Sequence, residues 1–319
     1  MPSTRHVTAL VLVFLLAVPA ATAFAEAGCA PARVPLDAPT ALVLSGGGAK
    51  GAWEAGVAAM LLERGLPIRL VTGSSAGALN AALIADGRPG VLESSWRSIT
   101  TAQVYSLRPA VVFAGLLPGW LTLMALDRAG SLLDPRPLRE LLAASLDFDR
   151  IRRSPVEIRA VAMDLAQRQQ RIFDNRTLTV DALMAATAVP GAFPPVVVDG
   201  NVLVDGGLTG RAPVLEALES GMRIERVIVA MSYQPDEHGT RPTTMRETLE
   251  QAFETSMIHQ ILRDTELARL KYPDADVQLL IPSAPLALRP LEFEAGGIAR
   301  ALTLGRADAA ACLRRWGAE

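Results

Sequence analysis

The sequence predicts an α/β domain built on a mostly parallel sheet. Three observations carry that prediction. Short, largely apolar runs stand at Ala41–Ser45, Ile68–Thr72 and Val227–Met231, as strands buried on both faces require. The first two alternate with helix-forming stretches, giving β-α-β-α within Ala41–Asp86. No internal repeat or low-complexity linker follows Pro39, so one domain is expected.

The elements follow in order. Arg5 and His6, the apolar run Ala9–Val18, Pro19 and the small-residue sites Ala21-Thr22-Ala23 and Ala23-Phe24-Ala25 have the layout of a secretory signal peptide, expected over 1–25. An uncleaved membrane anchor is the alternative. Cys29 behind Ala27-Gly28 also suggests a lipid-modification site, although Glu26 is a poor match to one. Three prolines (Pro31, Pro35 and Pro39) make 26–40 an extended linker. The domain is then expected over 41–319.

Ala41–Ser45 is the first strand and runs into glycines. Gly51–Arg64 is a helix stopped by Gly65 and Pro67. Ile68–Thr72 is the second strand, and Ala76–Asp86 is a small-residue helix ending at Gly87. Pro137–Ala144 reads as a helix and Ile158–Leu165 as a strand. Val196–Val198 and Val202–Asp205 flank Asp199-Gly200-Asn201, a tight-turn sequence, and form a hairpin. Thr244–Leu270 carries Leu249, Phe253 and Leu267 at helical spacing. Pro109–Leu126 has no charged residue. It reads as core, as a mobile cap, or as a membrane-facing patch; Pro118-Gly119 argues against a spanning helix.

Composition narrows the function. The chain has 319 residues, 31 basic and 33 acidic, for a net charge of −2. That balance argues against a nucleic-acid binder, which shows a basic stripe. Half the residues are hydrophobic and 20% charged, which excludes disorder. Mean hydropathy of +0.28 is high for a soluble enzyme and points toward apolar surfaces or a membrane. Three histidines and two separated cysteines form no zinc constellation, so no metal is expected. Export would permit a Cys29–Cys312 disulfide, but sequence leaves open whether the thiols meet.

Three motifs carry the chemistry. Gly73-Ser74-Ser75-Ala76-Gly77 fits G-x-S-x-G between a predicted strand and a predicted helix, the context of a nucleophile elbow. Small residues let the turn close and bring the helix N-terminus behind Ser75. Ser45-Gly46-Gly47-Gly48-Ala49-Lys50-Gly51 follows the first strand, and its glycines allow several backbone N–H groups to converge on an anion. Gly46, Gly48 and Gly51 also match a dinucleotide fingerprint. The second strand, however, ends in Thr72-Gly73-Ser74-Ser75 and lacks the acidic residue that binds ribose. A P-loop fails because Gly51 follows Lys50. Asp205-Gly206-Gly207 places a carboxylate at a strand end. A nucleophile needs a base and an oxyanion needs donors; the chain supplies one candidate for each role.

In this order the motifs resemble the patatin-like phospholipase family. Pro190-Gly191-Ala192-Phe193-Pro194-Pro195 looks like its proline-rich block, and Ser131-Leu132-Leu133-Asp134 with Pro137-Leu138-Arg139 is similar to its middle region. The resemblance implies a three-layer patatin-like sandwich and a serine acyl hydrolase acting on phospholipids or other acyl-ester lipids at a membrane surface. It implies a Ser–Asp dyad without cofactor. Ser75 is then the nucleophile and Asp205 its base, with Gly46, Gly47, Gly48 and Gly51 lining the oxyanion hole. Gly73, Ser74, Ala76 and Gly77 form the elbow, and Gly206 and Gly207 free the aspartate. Lys50 holds the loop or meets a headgroup. Two alternatives stand beside this. One is an α/β-hydrolase triad of Ser75, Asp205 and His259 or His238. The other is an inactive exported lipid-binding protein. The expected location is the periplasm, the envelope or the medium.

Overall fold

The computed structural model describes residues 29–88, 90–109, 111, 121, 124, 127–128, 130–236 and 241–318. The expected signal peptide, most of Pro109–Leu126, and His238 lie outside the described residues. Ten strands and ten helices longer than three residues occur among those described. They are β1 (Thr40–Leu44), α1 (Gly51–Glu63), β2 (Ile68–Gly73), α2 (Ala76–Asp86), α3 (Val91–Ser98), α4 (Thr101–Val104), β3 (Ser106–Leu107), β4 (Leu133–Asp134), α5 (Arg136–Ser145) and α6 (Phe148–Arg152). There follow β5 (Glu157–Asp164), β6 (Gln169–Phe173), α7 (Val180–Ala186), β7 (Val196–Val198), β8 (Asn201–Asp205), α8 (Val214–Leu218), β9 (Arg226–Ala230), α9 (Met245–Lys271), β10 (Asp276–Leu280) and α10 (Ala295–Arg315).

The main sheet runs β10-β9-β1-β2-β5-β8-β7, with β6 also paired to β5. The β10, β9, β1, β2 and β5 pairings are parallel. Those of β6, β7 and β8 are antiparallel. β1 and β9 are buried along their whole length. Alternation along a strand sends successive side chains to opposite faces. Leu42 and Leu44 accordingly join one core with α1, α2 and α10, while Ala41 and Val43 join a second core with α8 and α9. Helices on both faces of a mostly parallel sheet are the three-layer arrangement the sequence predicts.

Local chemistry sets the element ends. Val198 and Asn201 pair across a two-residue turn at Asp199-Gly200, both with positive φ. Thr244 caps α9 through a capping box with Glu247. Residues 29–39, read as a linker, lack regular structure but are tied to the domain. The Arg226 guanidinium, fully buried, donates to the Val34 and Pro35 carbonyls, and Cys29 is disulfide-bonded to Cys312 on α10. That bond leaves Cys29 no free thiol for a lipid. Among the described residues no helix is long and apolar enough to cross a membrane.

Candidate active site

Strand register places the site. Gly73, at the end of β2, sits opposite Ala160 of β5. Asp205, at the end of β8, sits opposite Ala162 of the same strand. β2 runs with β5 and β8 runs against it, so the two chain ends approach each other head on. Two strand residues span about 7 Å, which brings the elbow and the aspartate to one place.

At the elbow Ser75 has φ 53° and ψ −132°, a conformation side chains rarely adopt. The surroundings impose it. Ser75 N–H donates to Ala186 O at 2.9 Å, and Ser74 Oγ–H donates to Arg211 O at 2.6 Å. A Cβ on Gly73 would lie 2.4 Å from the Gly77 carbonyl, and one on Gly77 would lie 2.4 Å from Leu44 O. Both motif glycines are therefore sites of close backbone crossing. Ser75 precedes the first turn of α2 and lines the main pocket.

Asp205 is 2% exposed. Its Oδ1 accepts the Gly207 N–H at 2.8 Å and lies 3.5 Å from Arg211 Nη1. Its buried Oδ2 has no hydrogen bond of ordinary length and angle, yet the Ser75 hydroxyl is near enough to stabilise the carboxylate. Catalytic contacts are often loose without substrate. Burial raises the Asp205 pKa above its usual value; Arg211, the Gly207 N–H and Ser75 oppose the rise.

The glycine loop passes through three consecutive positive φ angles at Gly46, Gly47 and Gly48. Of the four glycines expected to offer N–H groups, two have them engaged internally. Gly46 N–H donates to Glu54 Oε1 at 2.8 Å, and Gly51 N–H closes the short turn onto Gly48 O and Ala49 O. Among the described residues Gly47 and Gly48 N–H have no such partner, and both glycines line the pocket. Among the described residues the loop N–H groups left for a pocket ligand are thus those of Gly47 and Gly48, because Gly46 and Gly51 shape the loop. Lys50 is committed too. Its Nζ lies 2.6 Å from Glu254 on α9 and 4.5 Å from the Tyr233 ring centroid, so it fastens the loop.

Ser75, Asp205, Gly47 and Gly48 share one pocket of about 950 Å³ whose far wall is aliphatic, with Leu79, Leu83, Leu138 and Leu142. His259 is exposed on α9 and is not part of that lining, so the structure does not bring it into a triad with Ser75. Among the described residues no cluster of three histidine, cysteine or acidic side chains could hold a metal. Two residues of the site escaped the sequence reading. Arg211 and Glu54 carry no motif signal, and only the packing brings them beneath the dyad and the loop.

An elbow serine, a facing carboxylate and a loop of open N–H groups around an apolar pocket form the layout of a serine acyl hydrolase. The chain belongs to the patatin-like phospholipase family, whose model matches residues 42–218. An uncharacterized NTE family protein of Mycobacterium tuberculosis is 33% identical over 175 residues, covering 54% of this chain and 44% of that one. A patatin-like phospholipase domain-containing protein of Caenorhabditis elegans is 28% identical over 175 residues, covering 54% of this chain and 12% of that one. The match thus spans less than half the length of these curated relatives. Among solved structures, VipD from Legionella pneumophila aligns with TM-score 0.45 and 14% identity over 90% of this chain and 69% of its own. ExoU of Pseudomonas aeruginosa, in complex with SpcU, aligns with TM-score 0.36 and 22% identity over 73% and 53%.

Proposed function

We propose that this protein is an exported phospholipase A or related lipid acyl hydrolase that works through a Ser75–Asp205 dyad. In this reading residues 1–25 are the signal peptide, 26–40 lead into the domain, and 41–319 form it. The observation that carries the proposal is the buried Asp205 carboxylate, with the Ser75 hydroxyl near enough to stabilise it and both residues lining an aliphatic pocket.

The chemistry follows from the positions. Asp205 Oδ2 accepts the Ser75 Oγ proton as Oγ bonds to the ester carbonyl carbon. The Gly47 and Gly48 N–H groups hold the resulting oxyanion. The carbonyl re-forms, the C–O bond to the alcohol breaks, and Asp205 returns the proton to the leaving oxygen. Water then gives a proton to Asp205 and attacks the acyl-enzyme, releasing fatty acid and restoring Ser75. A carboxylate near its ordinary pKa of about 4 is a weak base. Burial, which raises the Asp205 pKa, supports the role.

The pocket rim supports a membrane substrate. Met245, Leu249 and Phe253 lie four residues apart on α9, are 80%, 51% and 44% exposed, and border the pocket mouth. Exposed aliphatic and aromatic side chains around an apolar cavity suit a lipid surface. The test is hydrolysis of a soluble p-nitrophenyl ester. Ser75→Ala and Asp205→Ala should each abolish turnover, and His259→Ala should not. A functioning Asp205→Ala, or a dead His259→Ala, overturns the dyad.

A further inference from the structure

Glu54 is the buried acid that this mechanism does not use. It lies in the first turn of α1 and is fully buried. Acidic side chains are almost never buried to that degree without a specific partner. Its partners are the glycine loop. Oε1 accepts the Ser45 Oγ–H at 2.7 Å and the Gly46 N–H at 2.8 Å, while Oε2 is buried without a partner. On the other side of Gly46, in the next peptide unit, Ser232 Oγ–H donates to the Gly46 carbonyl, and Ser232 N–H donates to Ser45 Oγ at 3.3 Å. The Ser45-Gly46 unit is thus gripped between α1 and the chain leaving β9.

We propose that Glu54 is the positioning residue of the oxyanion loop, holding Gly46 so that the next two N–H groups, of Gly47 and Gly48, stay turned to the substrate. The inference rests on the Ser75 mechanism above. Three successive glycines have little conformational preference of their own, so the aim of those donors must come from outside the loop. The Glu54 bond to the Gly46 N–H and the Ser232 bond to the Gly46 carbonyl are the attachments immediately preceding them, and Glu54 also holds Ser45. Donor aim matters because a misplaced oxyanion donor is a lost one.

The charge state fits the position. Burial pushes Glu54 up to about 8, against the lowering effects of Ser45, Gly46 and Arg211. Near pH 7 the neutral acid therefore prevails, and no second negative charge sits behind the developing oxyanion. The groups facing it are Arg211, from the segment after β8, and Tyr233, after β9, whose hydroxyl is pushed up to about 12. On α10, Asp308 is engaged by Trp53 Nε1–H at 2.8 Å. Ionisation of Glu54 above pH 8 places a negative charge behind the oxyanion, so kcat declines there.

The experiment measures kcat and KM of the full chain on a soluble p-nitrophenyl ester from pH 5 to 10, with folding checked by thermal melts. Glu54→Leu removes the acceptor and should lower kcat about 100-fold, with KM changed less than about threefold, as loss of an oxyanion donor does. Glu54→Gln keeps an acceptor oxygen but cannot ionise. It should recover most of kcat and lose the decline above pH 8. A folded Glu54→Leu with wild-type kcat overturns the proposal. So does a Glu54→Gln that retains the alkaline decline, a result that stands even if Glu54→Leu fails to fold. A fluorophosphonate probe separates the two levels. If wild type neither labels at Ser75 nor hydrolyses ester, the underlying mechanism fails. If it does both while the Glu54 variants match it, only the positioning role fails.

Discussion

Asp205→Asn tests the energetic and the chemical part of the site together. The Asp205 and Arg211 side chains are 3% and 6% exposed and 3.5 Å apart. The substitution preserves shape but leaves the guanidinium buried against a neutral amide, with its Nε already unpartnered. Breaking a buried pair from one side costs about 3–5 kcal/mol. The lower end applies, because Glu54 also faces Arg211 and can ionise in compensation. At roughly 2–4 °C per kcal/mol for a chain approaching this size, the melting temperature should fall by about 6–12 °C. Esterase turnover should vanish, since an amide cannot accept the Ser75 proton. Adding Arg211→Met removes the orphaned charge. The double variant should regain most of the melting temperature and none of the activity. Circular dichroism melts at pH 7 and an ester assay read both quantities. A single variant that melts within 2 °C of wild type, a double variant less stable than the single, or retained turnover would refute the reasoning.

Three further outcomes follow from the same geometry. A proposed base must be ionised to act, and burial raises the Asp205 pKa, so kcat/KM should fall as pH drops through a midpoint above 3.8; a midpoint at or below that value contradicts the base assignment. Leu249→Asp with Phe253→Asp removes apolar rim area, each side chain worth about 1.5 kcal/mol or more when buried. Vesicle hydrolysis should fall at least about tenfold more than soluble-ester hydrolysis, and equal losses would deny the rim a membrane contact. The Cys29–Cys312 bond closes a loop with a sequence separation of 283. In the chain-entropy model it stabilises by about 5 kcal/mol, so Cys29→Ser/Cys312→Ser should melt roughly 10 °C lower or more; an unchanged melt would mean the bond does not constrain the unfolded chain.

Much of this molecule is legible in its sequence because its signals are local. The apolar runs at β1, β2 and β9 need burial on both faces, and Gly73 is required by a backbone crossing within its own turn, while Gly77 lets the turn pass Leu44 on the adjacent β1. The hairpin around Asp199-Gly200 announces itself through turn chemistry. Other features depend on distant partners. Nothing near Arg211 in the chain marks it, since its role comes from the β8–β5 register that sets it against Asp205. Glu54 looks like an ordinary helix acid until Ser45 and Gly46 fold back onto it. The glycine loop's sequence offers four equivalent donors, and packing divides them. Gly46 and Gly51 satisfy internal acceptors while Gly47 and Gly48 remain open. The third layer, formed by α8 and α9, follows from the crossovers before and after β9 and not from any motif.

In the proposed function Ser75, activated by Asp205, cleaves acyl esters of membrane lipids. Fatty-acid release from phosphatidylcholine–phosphatidylglycerol vesicles tests it most directly, with wild type, Ser75→Ala and Asp205→Ala compared at equal folded concentration. Wild type should release fatty acid, and both variants should show only the enzyme-free rate. Release by Ser75→Ala at the wild-type rate, or no release by a wild type that labels at Ser75 and hydrolyses soluble esters, would contradict it.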